Sequence, residues 1–123
     1  MNKNSNIGFI GLGNMGKPIF DNLNKKFSNI FCFDKDKSKL KKNNFSSSLI
    51  EIFKKCKIII FCIESNEQII DIIKENKIKK NTVIVDLTSS HPDLTKKISS
   101  HLKKIESHYI DAGMSGGASG ASN

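Results

Sequence analysis

The run Ile7-Gly-Phe-Ile10-Gly11-Leu-Gly13-Asn-Met15-Gly16-Lys-Pro18 constrains this chain more than any other part of it. Residues 7–10 form a short apolar stretch that reads as a buried strand, and it passes straight into Gly-x-Gly-x-x-Gly. Met15, Ile19, Leu23 and Phe27 then recur four residues apart, which predicts a helix. Each glycine has a mechanical reason in such a turn. Gly11 allows the tight reversal off the strand, Gly13 lets the backbone approach a pyrophosphate, and Gly16 lets helix and strand pack closely. The helix start offers N–H groups and a partial positive charge to phosphates. Pro18 falls in the first turn, where a missing N–H is tolerated.

A glycine turn alone is weak, and its context has to carry the reading. A ribose diol needs an acidic acceptor at the end of the next strand. Residues 29–33 are a plausible strand closed by Asp34, 18 positions after Gly16, close to the expected spacing of about twenty. Strand, glycines, helix, strand and acid stand in the required order.

The rest of the chain repeats the alternation. A short helix is expected around residues 38–42, and Phe45 with Ser46 makes a very short third strand. Ser48 caps a helix carrying Leu49, Ile52 and Phe53, with Glu51 as its capping-box partner. Residues 57–63 are the clearest strand, and their unbroken apolar character suggests burial on both faces. Residues 67–74 form a helix with Ile69, Ile70, Ile72 and Ile73 inward. Residues 82–86 are a buried strand, 93–105 an amphipathic helix through Leu94, Ile98, Leu102 and Ile105, and 107–111 a sixth strand. The expected fold is therefore α/β: one Rossmann-type domain over residues 1–123, a doubly wound parallel sheet of six strands in the order 3-2-1-4-5-6.

Composition narrows the partners. With 37% hydrophobic and 26% charged residues this is a globular chain. No apolar run is long enough to cross a bilayer, and glycines interrupt any secretory core near the N-terminus. A cytoplasmic protein without a membrane partner is expected. Three cysteines without metal-ligand spacing read as small buried residues, and no metal site is expected. The net charge of +8 comes from 20 lysines without one arginine. Base-edge readout favours arginine forks, and these lysines are scattered in pairs on expected outer helix faces. They read as a solvated surface, and no nucleic-acid partner is expected.

Two further segments give the chain a specific likeness. Asp86-Leu-Thr88-Ser89-Ser90-His-Pro92 resembles the Asp-x-Ser-Thr/Ser-x-x-Pro stretch of the β-hydroxyacid dehydrogenases. Tyr109-Ile-Asp111-Ala112-Gly113-Met114-Ser115-Gly116-Gly117-Ala-Ser-Gly120-Ala121 resembles that family's substrate signature, Asp-Ala-Pro-Val-Ser-Gly-Gly-x-x-Gly-Ala. The family includes 3-hydroxyisobutyrate and 6-phosphogluconate dehydrogenases and pairs a dinucleotide domain with an all-helical C-terminal domain. The likeness covers this whole chain but only the first of those domains, so a chain cut before the helical domain is expected.

The resemblance implies an NAD-dependent oxidoreductase acting on a small 3-hydroxy acid, with homo-oligomers in full-length relatives. Gly11, Leu12, Gly13, Asn14, Met15 and Gly16 would cradle the pyrophosphate, and Asp34 would hold the adenosine ribose. Ile63 and Glu64 would lie against the cofactor, and Ser89 near the nicotinamide ribose. Ser115, Gly116 and Gly117 would bind the substrate carboxylate, a role that fits a hydroxyl and successive unhindered amides. Two departures stand out: Glu64 where the family has proline, and Gly113 where the substrate motif has proline.

Cofactor choice follows from charge, since Asp34 would repel the 2′-phosphate of NADP. Lys35 and Lys37 offer partial compensation, and NAD is the expected cofactor over NADP. The family's catalytic lysine lies on the helix after this domain, so no catalytic residue is assigned in this chain. His91 is the one titratable loop residue at the cofactor edge and reads as exposed. Alone, the chain is expected to bind NAD weakly and turn over no hydroxy acid. A second reading of the same residues is a non-catalytic NAD(P)-binding module.

Overall fold

The computed structural model describes residues 6–40, 47–88 and 92–112. Strands and helices alternate: β1 (Ile7–Ile10), α1 (Gly16–Lys26), β2 (Ile30–Phe33), α2 (Leu49–Lys55), β3 (Ile58–Phe61), α3 (Asn66–Glu75), β4 (Val83–Asp86), α4 (Pro92–Lys104) and β5 (His108–Asp111), with a 3-10 turn at Lys37–Leu40. Ser48 caps α2 by accepting the Glu51 amide, as the sequence led one to expect, and Ser65 caps α3 by accepting the Glu67 amide, so that α3 starts one residue ahead of the expected position.

The strands form one parallel sheet in the order β2-β1-β3-β4-β5. Ile7 stands beside Ile30 on one side and Ile58 on the other, and the same step carries Ile58 to Val83 and Val83 to His108. The chain steps outward from β1 to β2 and then returns across β1 to build the other half. This puts the switch in winding direction between β1 and β3, where open α/β sheets leave a crevice beyond their strand ends.

The strand count corrects the expectation of six: the sheet has five among the described residues. The missing piece is Phe45–Ser46, which lies outside them. Beside β2 on that edge stands one backbone bond, from the Ser47 amide to the Cys32 carbonyl at 2.8 Å. With that strand set aside, the predicted spatial order is the observed one.

Side-chain alternation divides the core in two. Ile7, Phe9, Ile30 and Cys32 face α1, where Phe20 is buried with them and meets Phe9 edge-on at 5.9 Å between ring centroids. Ile10, Ile59, Phe61 and Ile84 face the other way, into Ile52 and Phe53 of α2, Ile69 and Ile73 of α3, and Ile98 and Leu102 of α4. The four-residue spacing of Met15, Ile19, Leu23 and Phe27 pointed to the right helix but not to its centre. Ile19, Leu23 and Phe27 flank the cluster, and Phe20 fills it.

The strand buried at every residue is β1, not β3. Three helices cover the Ile59 and Phe61 face of β3, whereas Ile58 and Ile60 meet only the α1 layer and are partly buried. On the basic surface, every described lysine pair is exposed, while Lys41-Lys42 falls outside the described residues. No helix of the described residues is long and apolar enough to cross a membrane.

Candidate functional site

A crevice of about 530 Å³ runs across the carboxyl ends of β2, β1, β3 and β4. Its volume falls within the range of about 300–1,000 Å³ usual for cofactor and ligand pockets. The glycine-rich turn forms its middle. Gly11 has φ of 107°, and a Cβ there would lie 2.1 Å from the Cys62 carbonyl oxygen. At Gly16 a Cβ would lie 1.9 Å from the Gly11 carbonyl oxygen. Both positions are therefore closed to any side chain by the fold itself.

Gly13 is different. A Cβ there would meet nothing within 4 Å, so no contact among the described residues excludes a side chain. The open space lies in the crevice, and a bare backbone there suits a ligand that comes close to the main chain. The start of α1 follows at once. No side chain caps this helix, unlike the serine caps of α2 and α3, and Pro18 in its first turn has no N–H to satisfy. An uncapped helix start beside such a turn is a place where an anion can be bound.

Asp34 stands at the β2 end of the crevice. Its Oδ2 accepts the Leu12 amide at 2.7 Å and its Oδ1 accepts the Asp36 amide at 2.8 Å. A carboxylate offers about four acceptor positions, so two directions remain for hydroxyl groups of a ligand. Lys35 and Lys39 line the rim beside it. The carboxylate thus has two jobs, tying the glycine turn to β2 and facing the crevice.

The opposite wall comes from the loops after β3 and β4: Cys62, Ile63 and Glu64, then Leu87 and Thr88. Thr88 is buried, and its Oγ1 accepts the Ile63 amide at 3.3 Å. Behind it lies Asp86, fully buried, whose Oδ1 accepts the Thr88 amide at 2.8 Å and whose Oδ2 accepts the Tyr109 hydroxyl at 2.5 Å. Burial, with the Asp86 bond behind it, pushes the Tyr109 phenol well up. Burial also pushes the Cys62 thiol up, with the Asp86 charge adding to it. A protonated thiol is no nucleophile at neutral pH, and Cys62 is a small wall residue.

Of the residues expected from sequence, Gly11, Gly13, Asn14, Met15, Gly16, Asp34, Ile63 and Glu64 all line this one crevice. Leu12 does not line it; its side chain is buried with Phe9 and Phe20, and its amide is held by Asp34. Ser89, His91, Ser115, Gly116 and Gly117 lie outside the described residues. Sequence reasoning missed Lys39, Gln68 and Thr88 as lining residues. Thr88 carried a signal, since it belongs to the same Asp-x-Thr-Ser stretch as Ser89. Lys39 and Gln68 carried none that separates them from other surface residues. Among the described residues no group of three His, Cys, Asp or Glu side chains could hold a metal ion.

Comparison with known proteins places this geometry. Residues 6–123 match the family described as the NAD binding domain of 6-phosphogluconate dehydrogenase. The chain is 28% identical to mouse mitochondrial 3-hydroxyisobutyrate dehydrogenase over 94% of its length, and 32% identical to 2-(hydroxymethyl)glutarate dehydrogenase of Eubacterium barkeri over 98%. It spans 37% and 44% of those two proteins, less than half of either. Among solved structures, 3-hydroxyisobutyrate dehydrogenase of Mycobacterium tuberculosis with L-serine superposes at a TM-score of 0.89, with 21% identity, over 96% of this chain and 43% of that one. A reductive aminase of Aspergillus terreus in complex with NADPH and ethyl levulinate superposes at 0.84 with 14% identity, over 94% and 42%. At these identities the two structures speak for the fold.

Proposed function

This chain belongs to the β-hydroxyacid dehydrogenase family, as its NAD(P)-binding domain, and from that premise we propose that the crevice holds NAD for the oxidation of a small 3-hydroxy acid. The observation that carries the proposal is Gly13. It is a glycine without an internal reason to be one, set between two that have such a reason, at the switch in sheet winding. A pyrophosphate laid on that bare backbone would meet the start of α1, and Asp34 would take the adenosine ribose hydroxyls. Ile63, Glu64 and Ser89 would flank the nicotinamide end, and Ser115, Gly116 and Gly117 would receive the substrate carboxylate.

The nicotinamide, when bound, supplies the hydride acceptor. The chain's own residues bind and orient. Gly11 and Gly16 keep the turn closed, Asp34 holds Leu12 and faces the sugar, and Ile63 gives an apolar wall. None of the described crevice residues is a histidine, and Lys35 and Lys39 are exposed. A lysine that serves as general base needs burial or close cationic neighbours, and an exposed one lacks the first of these. We therefore assign no catalytic residue to the described crevice, and this chain provides the cofactor side of the reaction.

NAD is proposed over NADP because a carboxylate gripping the adenosine ribose, as proposed for Asp34, would repel a 2′-phosphate. Calorimetric titration of the 123-residue chain with NAD+ and with NADP+ tests the reading. Binding of NAD+ at lower concentration than NADP+ is the expected result. Heat from neither, with the chain shown to be folded, would overturn the assignment. Reversed preference would overturn the choice of cofactor alone.

A further inference from the structure

Three neighbouring strands, β3, β4 and β5, end in a chain of hydrogen bonds that the cofactor reading does not use. Tyr109 on β5 donates its hydroxyl to Asp86 at the end of β4; Asp86 accepts the Thr88 amide; Thr88 accepts the Ile63 amide beyond β3. The members are far apart in sequence, 23 residues between Tyr109 and Asp86 and 25 between Thr88 and Ile63. Only the sheet register brings them together, with Asp86 beside both Phe61 and Asp111.

We propose that Asp86 and Tyr109 are positioning residues that fix the Ile63–Thr88 wall of the crevice and couple it to β5. The proposal rests on the cofactor reading above for what that wall would touch. Asp86 is fully buried with a donor on each carboxylate oxygen. A buried carboxylate is costly unless its acceptors are satisfied, so the network has to be kept whole or lost together. Its position is not that of a core device. Thr88 and Ile63 line the crevice, while Tyr109 lies two residues before Asp111, where the likeness to the substrate signature begins. The wall that would flank a nicotinamide and the strand leading to the carboxylate-binding segment therefore share one buried acceptor. A shift at either end changes the geometry at the other.

The test uses the 123-residue chain with Tyr109→Phe, Asp86→Asn and the double variant. The Ile63 and Thr88 amide signals are followed by NMR, and NADH affinity by fluorescence of the bound nicotinamide. Tyr109→Phe should move the Ile63 amide, which it does not touch, and weaken NADH about three- to tenfold, the cost of one lost hydrogen bond. Asp86→Asn should weaken it further, because the charge that both donors face is lost and the Tyr109 hydroxyl must turn to accept rather than donate. The double variant should be no weaker than Asp86→Asn alone, since Tyr109 acts through Asp86.

Unmoved Ile63 and Thr88 amides in Tyr109→Phe would overturn the proposal. So would unchanged NADH affinity alongside a lowered melting temperature, the pattern of a purely structural pair. Should Asp86→Asn not fold, Tyr109→Phe decides, because it leaves the carboxylate in place. Absence of NADH binding by the unsubstituted chain would sink the cofactor reading, while the amide signals would still decide the coupling.

Discussion

The carboxylate of Asp34 accepts the backbone N–H of Leu12 at 2.7 Å, and through that bond the end of β2 holds the glycine-rich turn that follows β1. The residue proposed to grip the ribose also shapes the cradle proposed for the pyrophosphate. Asp34→Ala removes both functions at once. A hydrogen bond from an amide to a charged group is worth about 1.5–3 kcal/mol, so NAD affinity should fall at least about tenfold. NADP should lose less, because repulsion of its 2′-phosphate disappears with the carboxylate. Calorimetry with both dinucleotides checks this, and an unchanged ratio of the two affinities would count against it.

The three glycines of the turn should separate into two kinds. Gly11→Ala and Gly16→Ala place a methyl 2.1 Å and 1.9 Å from backbone oxygens, and each should destabilise the fold by about 2 kcal/mol or more. Gly13→Ala puts its methyl into open space and should change stability by no more than about 0.5 kcal/mol, while still obstructing the dinucleotide. Urea denaturation alongside NAD titration distinguishes them. A Gly13→Ala chain that binds NAD normally would remove the observation on which the proposed function rests.

Phe20 anchors α1 to the sheet. It is buried against Phe9, edge to face, in a layer where α1 is the only α-helix among the described residues. Phe20→Ala should cost about 3–5 kcal/mol, a large part of the roughly 5–15 kcal/mol that holds a domain folded. A midpoint shift in denaturant of less than a third of the unsubstituted chain's stability would show that the layer repacks around the gap.

Alkaline pH should weaken the fold. Burial pushes the Cys32 and Cys56 thiols from the ordinary 9.0 up to about 11, and the Tyr109 phenol is raised as well. Above pH 9 the unfolded chain releases thiol protons that the folded chain keeps, so unfolding is favoured as pH rises. The stabilising contribution is whole below the unfolded value of 9.0 and is lost on the way to about 11. Urea midpoints should therefore fall between about pH 9 and about pH 11. A flat profile across that window would contradict the burial of these thiols.

What the sequence determined by itself is local. The βα turn, the alternation of strands with helices and the Ser48 cap rest on residues within a few positions of one another. There the backbone's own geometry decides, and side chains report it directly. Asp34 was legible because the spacing from Gly16 to the next strand end is set by one helix and one strand.

Tertiary structure decided the rest. Phe20 rather than its neighbours became the centre of α1, because the sheet fixes which part of a helix face meets it. Residues 57–63 read as a strand buried on both faces, yet only the Ile59 and Phe61 face of β3 is fully buried, because three helices cover that face while Ile58 and Ile60 meet the α1 layer. Asp34 reaches Leu12 across 22 residues and Tyr109 reaches Asp86 across 23. No spacing rule forecasts such bonds, since they depend on parallel register between strands and on which polar atoms are left buried together at the strand ends.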